Sequence, residues 1–84
     1  MVKKGDLVAI FHSIHRVMKA EKLLKSADAN ILLIPVPRQL SSDCGLAIRI
    51  VAEDRARVLA LLDEARLSPV ELHEKQEGGF ELLP

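Results

Sequence analysis

The sequence contains no tryptophan and no tyrosine, and only two phenylalanines among its 84 residues. Without those rings the chain lacks the aromatic platform on which proteins stack unpaired bases. Lysine and arginine number 12 and aspartate and glutamate number 12, so the formal net charge is zero. A chain without excess positive charge has no overall electrostatic attraction to nucleic acid. Nucleic acid is therefore not an expected partner.

Cysteine is also scarce, because Cys44 is the single one in the sequence. One cysteine excludes a disulfide framework within the chain. Together with three scattered histidines it gives none of the paired ligand spacings that structural zinc sites need. We expect neither a bound metal nor a cofactor.

Long apolar runs are missing as well. The longest, at residues 31–36, is far shorter than the roughly 20 residues that span a bilayer. No stretch near the N-terminus resembles a signal peptide. These absences predict a cytoplasmic protein that does not enter a membrane, and the length suits one domain with a thin core.

Short apolar runs alternate with longer segments of helical periodicity. The runs predict strands at residues 7–11, 31–34, 46–51 and 70–74, and helices follow Ser13 and Asp54, two suitable N-caps. The order β-α-β-β-α-β is the ferredoxin-like, or split βαβ, pattern. We therefore predict an α+β fold with two helices on one face of a four-stranded antiparallel sheet. Residues 1–77 form the expected single domain, and 78–84 an expected C-terminal tail.

The first strand raises a difficulty, because its side chains are apolar on both faces of the sheet. Two helices can cover only one face, and an uncovered face should carry alternating polar residues. We expect the open face to be covered by a second copy of the chain or by the tail at residues 80–83. A homo-oligomer joined through that face is the prediction. His73, on a fourth strand taken as the sheet edge, is expected at the surface.

The predicted chain topology indicates which residues lie near Cys44. The loop between the second and third strands should face the corner between the first strand and first helix, where His12 and Ser13 lie. Helix N-termini and nearby cations lower the pKa of a thiol from about 8.5. Arg38, in the same loop, is a candidate partner for a thiolate or another anion.

The immediate neighbours of the cysteine are small. Ser42 and Gly45 offer little steric hindrance and several backbone donors, and glycine permits a tight turn. This setting favours an exposed, reactive sulfur. A lone cysteine is also commonly a buried and inert small hydrophobe, so both interpretations of Cys44 stay open at this point.

Several segments resemble the selenium/sulfur (Se/S) carrier protein-like family. They are FHSIH at 11–15, AEKLLK at 20–25, IPVPR at 34–38 and SSDCGLA at 41–47, and the resemblance spans about 7–72. The family cysteine corresponds to Cys44, and Arg38 and Ser42 fall in matching segments. The resemblance implies a carrier, rather than a turnover catalyst, that holds sulfur or selenium as a persulfide or selenyl-sulfide. It also implies donor and acceptor proteins as partners.

Two other functions remain compatible with the sequence. A dimeric ferredoxin-like module that binds or regulates through a small molecule or protein would use the apolar open face. A thiol redox sensor would use Cys44 to form a disulfide between two chains or a sulfenic acid. Fold alone does not choose among these functions.

Overall fold

A computed structural model describes residues 2–40 and 45–84. In these residues the fold is α+β, with two α-helices and a five-stranded antiparallel sheet in the order β2-β3-β1-β4-β5. The elements are β1 (Leu7–Ile10), α1 (Ile14–Ser26), β2 (Ile31–Pro35), β3 (Leu46–Ile50), α2 (Arg55–Glu64), β4 (Glu71–Gln76) and β5 (Gly79–Leu82), with one 3-10 turn (Ala52–Asp54) before α2.

The predicted element order is confirmed through β4, but the predicted number of strands is wrong. The chain reverses direction in a turn at Glu77 and Gly78, and the residues that follow pair with β4. Part of the stretch expected as a tail is therefore a fifth strand. The addition makes β4 an inner strand and moves the sheet edge outward to β5.

One face of the sheet is covered by both helices. Because the apolar residues of α1 and α2 recur at helical spacing, each helix turns one stripe toward the strands. The buried side chains that the helices turn inward are Val17, Ala20, Leu24, Val58 and Leu62. They pack on Leu7, Ala9, Phe11, Ile31, Ile48 and Ile50. This is the larger of the two apolar clusters and the main core of the chain.

The opposite face, called the open face here, is buried at its centre within one chain. Its cluster consists of Val8, Ile10, Ile34 and Ala47, and it is covered by Val2, Val36, Leu40 and Phe80. The expected need for cover is confirmed, and the segment after residue 77 provides part of it through Phe80. Apolar surface remains exposed at the two margins of this face, at Leu32 and Leu82.

His73 is not a surface residue, and that prediction is wrong. Its relative exposure is 8%. On the open face it lies opposite Val8 of β1 on one side and Leu82 of β5 on the other. The fifth strand, absent from the prediction, is the reason for its burial.

Both helices end in the same backbone motif. After α1, Asp28 N donates to Lys25 O at 3.0 Å and Ala29 N donates to Leu24 O at 3.0 Å. After α2, the equivalent bonds join Arg66 to Asp63 at 3.0 Å and Leu67 to Leu62 at 2.8 Å. This Schellman arrangement needs a left-handed residue, usually glycine, yet Asp28 and Arg66 occupy it with φ of 58° and 59°.

Arginines tie the end of each helix to the start of the other. Arg16 at the start of α1 donates from Nη2 to Arg66 O at 2.8 Å. Arg57 at the start of α2 donates to Ala27 O at 2.8 Å and to Asp28 O at 3.2 Å. These bonds satisfy the carbonyl of Ala27, the C-cap of α1, and the carbonyls of Asp28 and Arg66, which directly follow the two C-caps.

The N-cap predictions have different outcomes. Ser13 is confirmed as the cap of α1, because its Oγ accepts from Arg16 N at 3.3 Å. Asp54 stands at the N-cap position of α2, but its side chain makes no capping bond. Its Oδ2 instead accepts from Asn30 N at 2.8 Å and lies 3.5 Å from Arg57 Nη2. Asp54 thus anchors the entry to β2.

We expect Arg66→Gly to be more stable than Arg66→Ala by about 1 kcal/mol, because glycine removes the cost of the left-handed backbone and alanine keeps it. Both variants lose the same side chain and retain the carbonyl that Arg16 binds. Urea unfolding followed by circular dichroism measures the difference. Equal stability of the two variants would show that the backbone at this position is not strained.

Candidate functional site

The loop between β2 and β3 is held at both of its described ends. Val36 N donates to Gly45 O at 3.0 Å, which continues the β2–β3 pairing past the strand ends. Leu40 N donates to Pro37 O at 2.9 Å and closes a turn. The Leu40 side chain packs on the open-face cluster. The predicted site residues Ser42 and Cys44 lie between these anchors, outside the described residues.

Three segments meet at this end of the sheet. The strand register sets Ile34, Ala47, Ile10 and Glu71 in one row across β2, β3, β1 and β4. The β2–β3 loop, the corner between β1 and α1, and the start of β4 all lie just beyond that row. His12 and Ser13 therefore share one end of the molecule with the described ends of the loop.

The N-terminus of α1 lies at this end and is free of acidic side chains in its first turn. Unpaired N–H groups of a helix N-terminus carry a partial positive charge, which favours an anion nearby. Ser13 uses one of these donors, that of Arg16, for its capping bond. The N–H groups of this helix end therefore contribute partial positive charge to the corner.

His12 adopts a left-handed backbone conformation. Its φ is 56°, a region that few residues other than glycine occupy, although histidine enters it more often than most side chains. Its side chain is half-buried, and Nδ1 is buried with no hydrogen-bond partner in the described part of the chain. Strain of this kind accumulates at functional sites, where the surrounding structure maintains it.

Glu71 lies between two histidines. His73 Nε2 is 2.9 Å from Glu71 Oε1, and His12 Nε2 is 3.9 Å from Glu71 Oε2. Since a carboxylate only accepts hydrogen bonds, the proton of this short contact is on His73 Nε2. The Nδ1 atom of His73 is then a buried ring nitrogen with no partner among the described residues.

This pair of contacts changes the titration of the carboxyl group. The hydrogen bond from His73 is the largest cause that holds the pKa of Glu71 below its ordinary value of 4.5. Electrostatic attraction to His73 and to His12 acts in the same direction, against the opposing effect of burial. Glu71 therefore stays ionised at pH values where a free glutamate begins to take up a proton.

Arg38 and Gly45 are the remaining predicted site residues that the structure describes. Arg38 is exposed in the turn at residues 37–40 and forms no ion pair with any described residue. Gly45 has φ of 74°, and a Cβ placed on it would meet no atom within 4 Å. The loop thus has an available cation at one end and open space at the other.

Sequence reasoning missed Glu71 and His73. Their spacing of two along a strand already indicated that they share a face. The sequence did not reveal that this face is the open one, or that the register brings Glu71 beside Ile10 and therefore close to His12.

In residues 2–40 and 45–84, no group of three or more histidine, cysteine, aspartate or glutamate side chains is arranged to hold a metal ion. Within the same ranges no helix combines the length and the apolar character needed to cross a membrane.

Comparison with known proteins gives a family match that covers most of the chain. The model of a family described as "Putative Se/S carrier protein-like" matches residues 6–74. That span begins just before β1, ends within β4 and includes the whole β2–β3 loop. No curated protein and no solved structure matches the chain.

Glu71→Gln should lower the free energy of unfolding near neutral pH, and this loss of stability should become smaller in acid. A carboxyl whose folded pKa is depressed stabilises the fold above its unfolded pKa, and this contribution disappears as pH falls through the folded pKa. We therefore expect the stability of wild type and variant to converge as the pH falls below about 4.5. Urea unfolding at pH 7 and at several acidic values measures the convergence.

Glu74→Gln is the matched control, because Glu74 lies on the same strand, points to the other face and contacts no histidine among the described residues. Its effect on stability should be smaller and should not depend on His73. A gap between wild type and Glu71→Gln that stays constant across the acidic range would contradict the assigned role of the histidines.

Proposed function

We propose that this chain, which belongs to the Se/S carrier protein-like family, holds a sulfur or selenium atom on Cys44 and passes it between proteins. The observation that carries the proposal is the position of the two described ends of the β2–β3 loop. Both of its described ends are bonded or packed beside the corner that contains the N-terminus of α1. A carrier thiol needs a stable thiolate and access for a partner, and this neighbourhood supports both.

The stabilisation of charge has two sources in this proposal. The helix N-terminus provides N–H groups and a partial positive charge without an acidic residue in the first turn. Arg38 provides a full positive charge, with no ion pair to another described residue. Each would lower the pKa of a nearby thiol and favour the anionic persulfide or selenyl-sulfide that follows.

Access to the sulfur is supported by the residue that follows it. Cys44 is bonded to Gly45, whose surroundings are open and whose backbone has the left-handed conformation that favours glycine. A side chain at residue 45 would narrow that space and strain the backbone. Ser42 is assigned as a further small neighbour with a hydroxyl donor.

His12 is assigned a proton-handling role at the same end. Its ring has one nitrogen, Nδ1, without a hydrogen-bond partner among the described residues, and Glu71 lies 3.9 Å from the other. An imidazole is the side chain that accepts a thiol proton most readily near neutral pH. Ser13 supports the corner through its capping bond.

The transfer step is an exchange at sulfur. The Cys44 thiolate attacks the outer sulfur of a persulfide on the donor, so a new S–S bond forms at Cys44. The S–S bond of the donor breaks, and the donor cysteine leaves as a thiolate. With selenium as cargo, attack on the outer selenium forms an S–Se bond in the same way. Neither exchange requires an external oxidant or reductant, and delivery to an acceptor thiolate is the same step in reverse.

A homo-oligomer joined through the open face and a cytoplasmic location stay predictions. The central residues of that face, which motivated the oligomer, are covered within one chain by Val2, Val36, Leu40 and Phe80. Among the described residues of that face, the large apolar side chains that stay exposed are Leu32 and Leu82, at its margins.

The pKa of Cys44 tests the proposed stabilisation. We expect iodoacetamide to alkylate the native protein with a midpoint at least about one pH unit below that of the urea-unfolded chain, which is near 8.5. Arg38→Gln should raise the native midpoint, whereas Lys22→Gln, which removes an exposed cation from α1, should not. Labelling that is slower in the native protein at every pH would indicate a buried, inert thiol.

Loading of the thiol tests the carrier function itself. The wild-type protein, incubated with glutathione persulfide, should gain the mass of one sulfur atom and release it to an added thiol. Cys44→Ser should fold and gain nothing. A wild-type protein whose Cys44 labels rapidly but never acquires sulfane sulfur would contradict the carrier proposal and favour the redox sensor.

A further inference from the structure

The sheet has two edges, and the β2 edge is protected against a further strand. Because Val36 N bonds to Gly45 O, the alternation of an antiparallel ladder turns Ile31, Leu33 and Pro35 outward. Pro35 has no N–H, and Ile31 N already donates to Ala29 O at 3.0 Å. Little of the β2 edge is left to pair.

The β5 edge has no such protection. Leu83 N donates to Leu72 O at 2.8 Å, so Glu81 also bonds toward β4, whereas Phe80 and Leu82 present their N–H and C=O groups outward. The strand GFEL contains no proline or lysine, which proteins often use to block an exposed edge, and its single charged residue is Glu81.

Apolar surface flanks this edge on both faces of the sheet. On the open face, Leu82 is 60% exposed. On the helix face, a groove of about 520 Å³ lies between α2 and the last two strands, where Leu59, Leu72 and Leu83 form part of its lining. Val70, 62% exposed, lies at the end of that groove. A strand added to β5 would cover surface on both sides.

On the helix face, the charges beside this edge are negative, whereas on the open face Lys75 Nζ lies 5.2 Å from the centre of the Phe80 ring. Glu81, on the helix face of β5, accepts from Gln76 Nε2 at 3.1 Å and forms no ion pair in the described part of the chain. Asp63 lines the groove. In an added antiparallel strand, the residue opposite Glu81 would lie close to that carboxylate, so a lysine or arginine fits there.

A second copy of this chain fits less well. Pairing of two β5 strands that uses the outward groups of both Phe80 and Leu82 sets the two copies of Glu81 directly opposite each other. Like charges in directly opposite positions destabilise an antiparallel pair. The charge pattern therefore favours a different strand, in which a basic residue stands between two apolar ones.

We propose that the outer edge of β5 binds an extended segment of another protein by strand addition. In the bound segment, apolar side chains lie beside Phe80 and Leu82, and a lysine or arginine faces Glu81. The docking itself does not involve the thiol. β5 ends at the same end of the sheet as the β2–β3 loop. This shared end identifies the partner as a sulfur or selenium donor or acceptor, an identification that rests on the proposed function.

The test uses the peptide acetyl-Thr-Val-Lys-Val-Thr-amide and the isotope-labelled Cys44→Ser chain, so failure of the carrier function does not affect it. Nuclear magnetic resonance should show saturable shifts centred on the amides of Phe80, Glu81 and Leu82. The peptide with glutamate in place of lysine should bind about fivefold more weakly. A peptide N-methylated at both valine amides should not bind, because it lacks the donors that face β5.

Two protein variants test whether peptide binding depends on this edge or on the rest of the open face. Leu82→Pro removes an outward N–H without removing a bond to β4, so the chain should fold but lose peptide binding. Leu32→Lys, at the opposite margin of the same face, is the matched control and should bind normally. Shifts that map away from β5, or equal binding of the N-methylated peptide, would overturn the proposal. So would sedimentation showing a dimer of the chain alone that Leu82→Pro dissociates.

Discussion

The side chains of the central strand β1 are apolar and buried on both faces of the sheet, and the rest of the fold has to cover both faces. Leu7 and Ala9 need cover from the helices, and Val8 and Ile10 need cover on the other side. Burial of apolar side chains on this scale is the main favourable contribution to the stability of so small a domain. The helices, the β2–β3 loop and β5 all contribute to that burial, so the site and the core share residues.

The antiparallel helix pair is held at both ends by arginine side chains rather than by packing alone. Arg16 and Arg57 each bind carbonyl groups that follow the other helix. Hydrogen bonds from a charged donor to such groups are stronger than neutral ones. As a result the start of α1, which supplies the positive end of the candidate site, is fixed relative to the end of α2 and to the segment that leads into β4.

The sequence predicted the fold well wherever the pattern is local. Alternation and helical spacing were sufficient to place the elements from β1 through β4, and Ser13 as a cap, because both depend on neighbouring residues. The strand β5 was missed because four residues carry little periodicity and Phe80 is ordered by contacts with distant parts of the chain. That omission also produced the error at His73.

For the candidate site, chain topology predicted only which elements share one end of the sheet. The described ends of the β2–β3 loop lie at the same end as the β1–α1 corner, as the element order implies, so Arg38 and Gly45 share that end with His12. The register between β1 and β4 is a tertiary property that the sequence did not supply. This register places Glu71 beside His12. The arrangement of two histidines around one carboxylate could therefore not be predicted from the sequence.

The cover of the open face draws on parts of the chain that lie beyond the matched span. That span is 6–74, yet two of the four covering side chains, Val2 and Phe80, lie outside it. A chain with the same apolar centre but without these two side chains would have to shield it with other segments or with a neighbouring subunit.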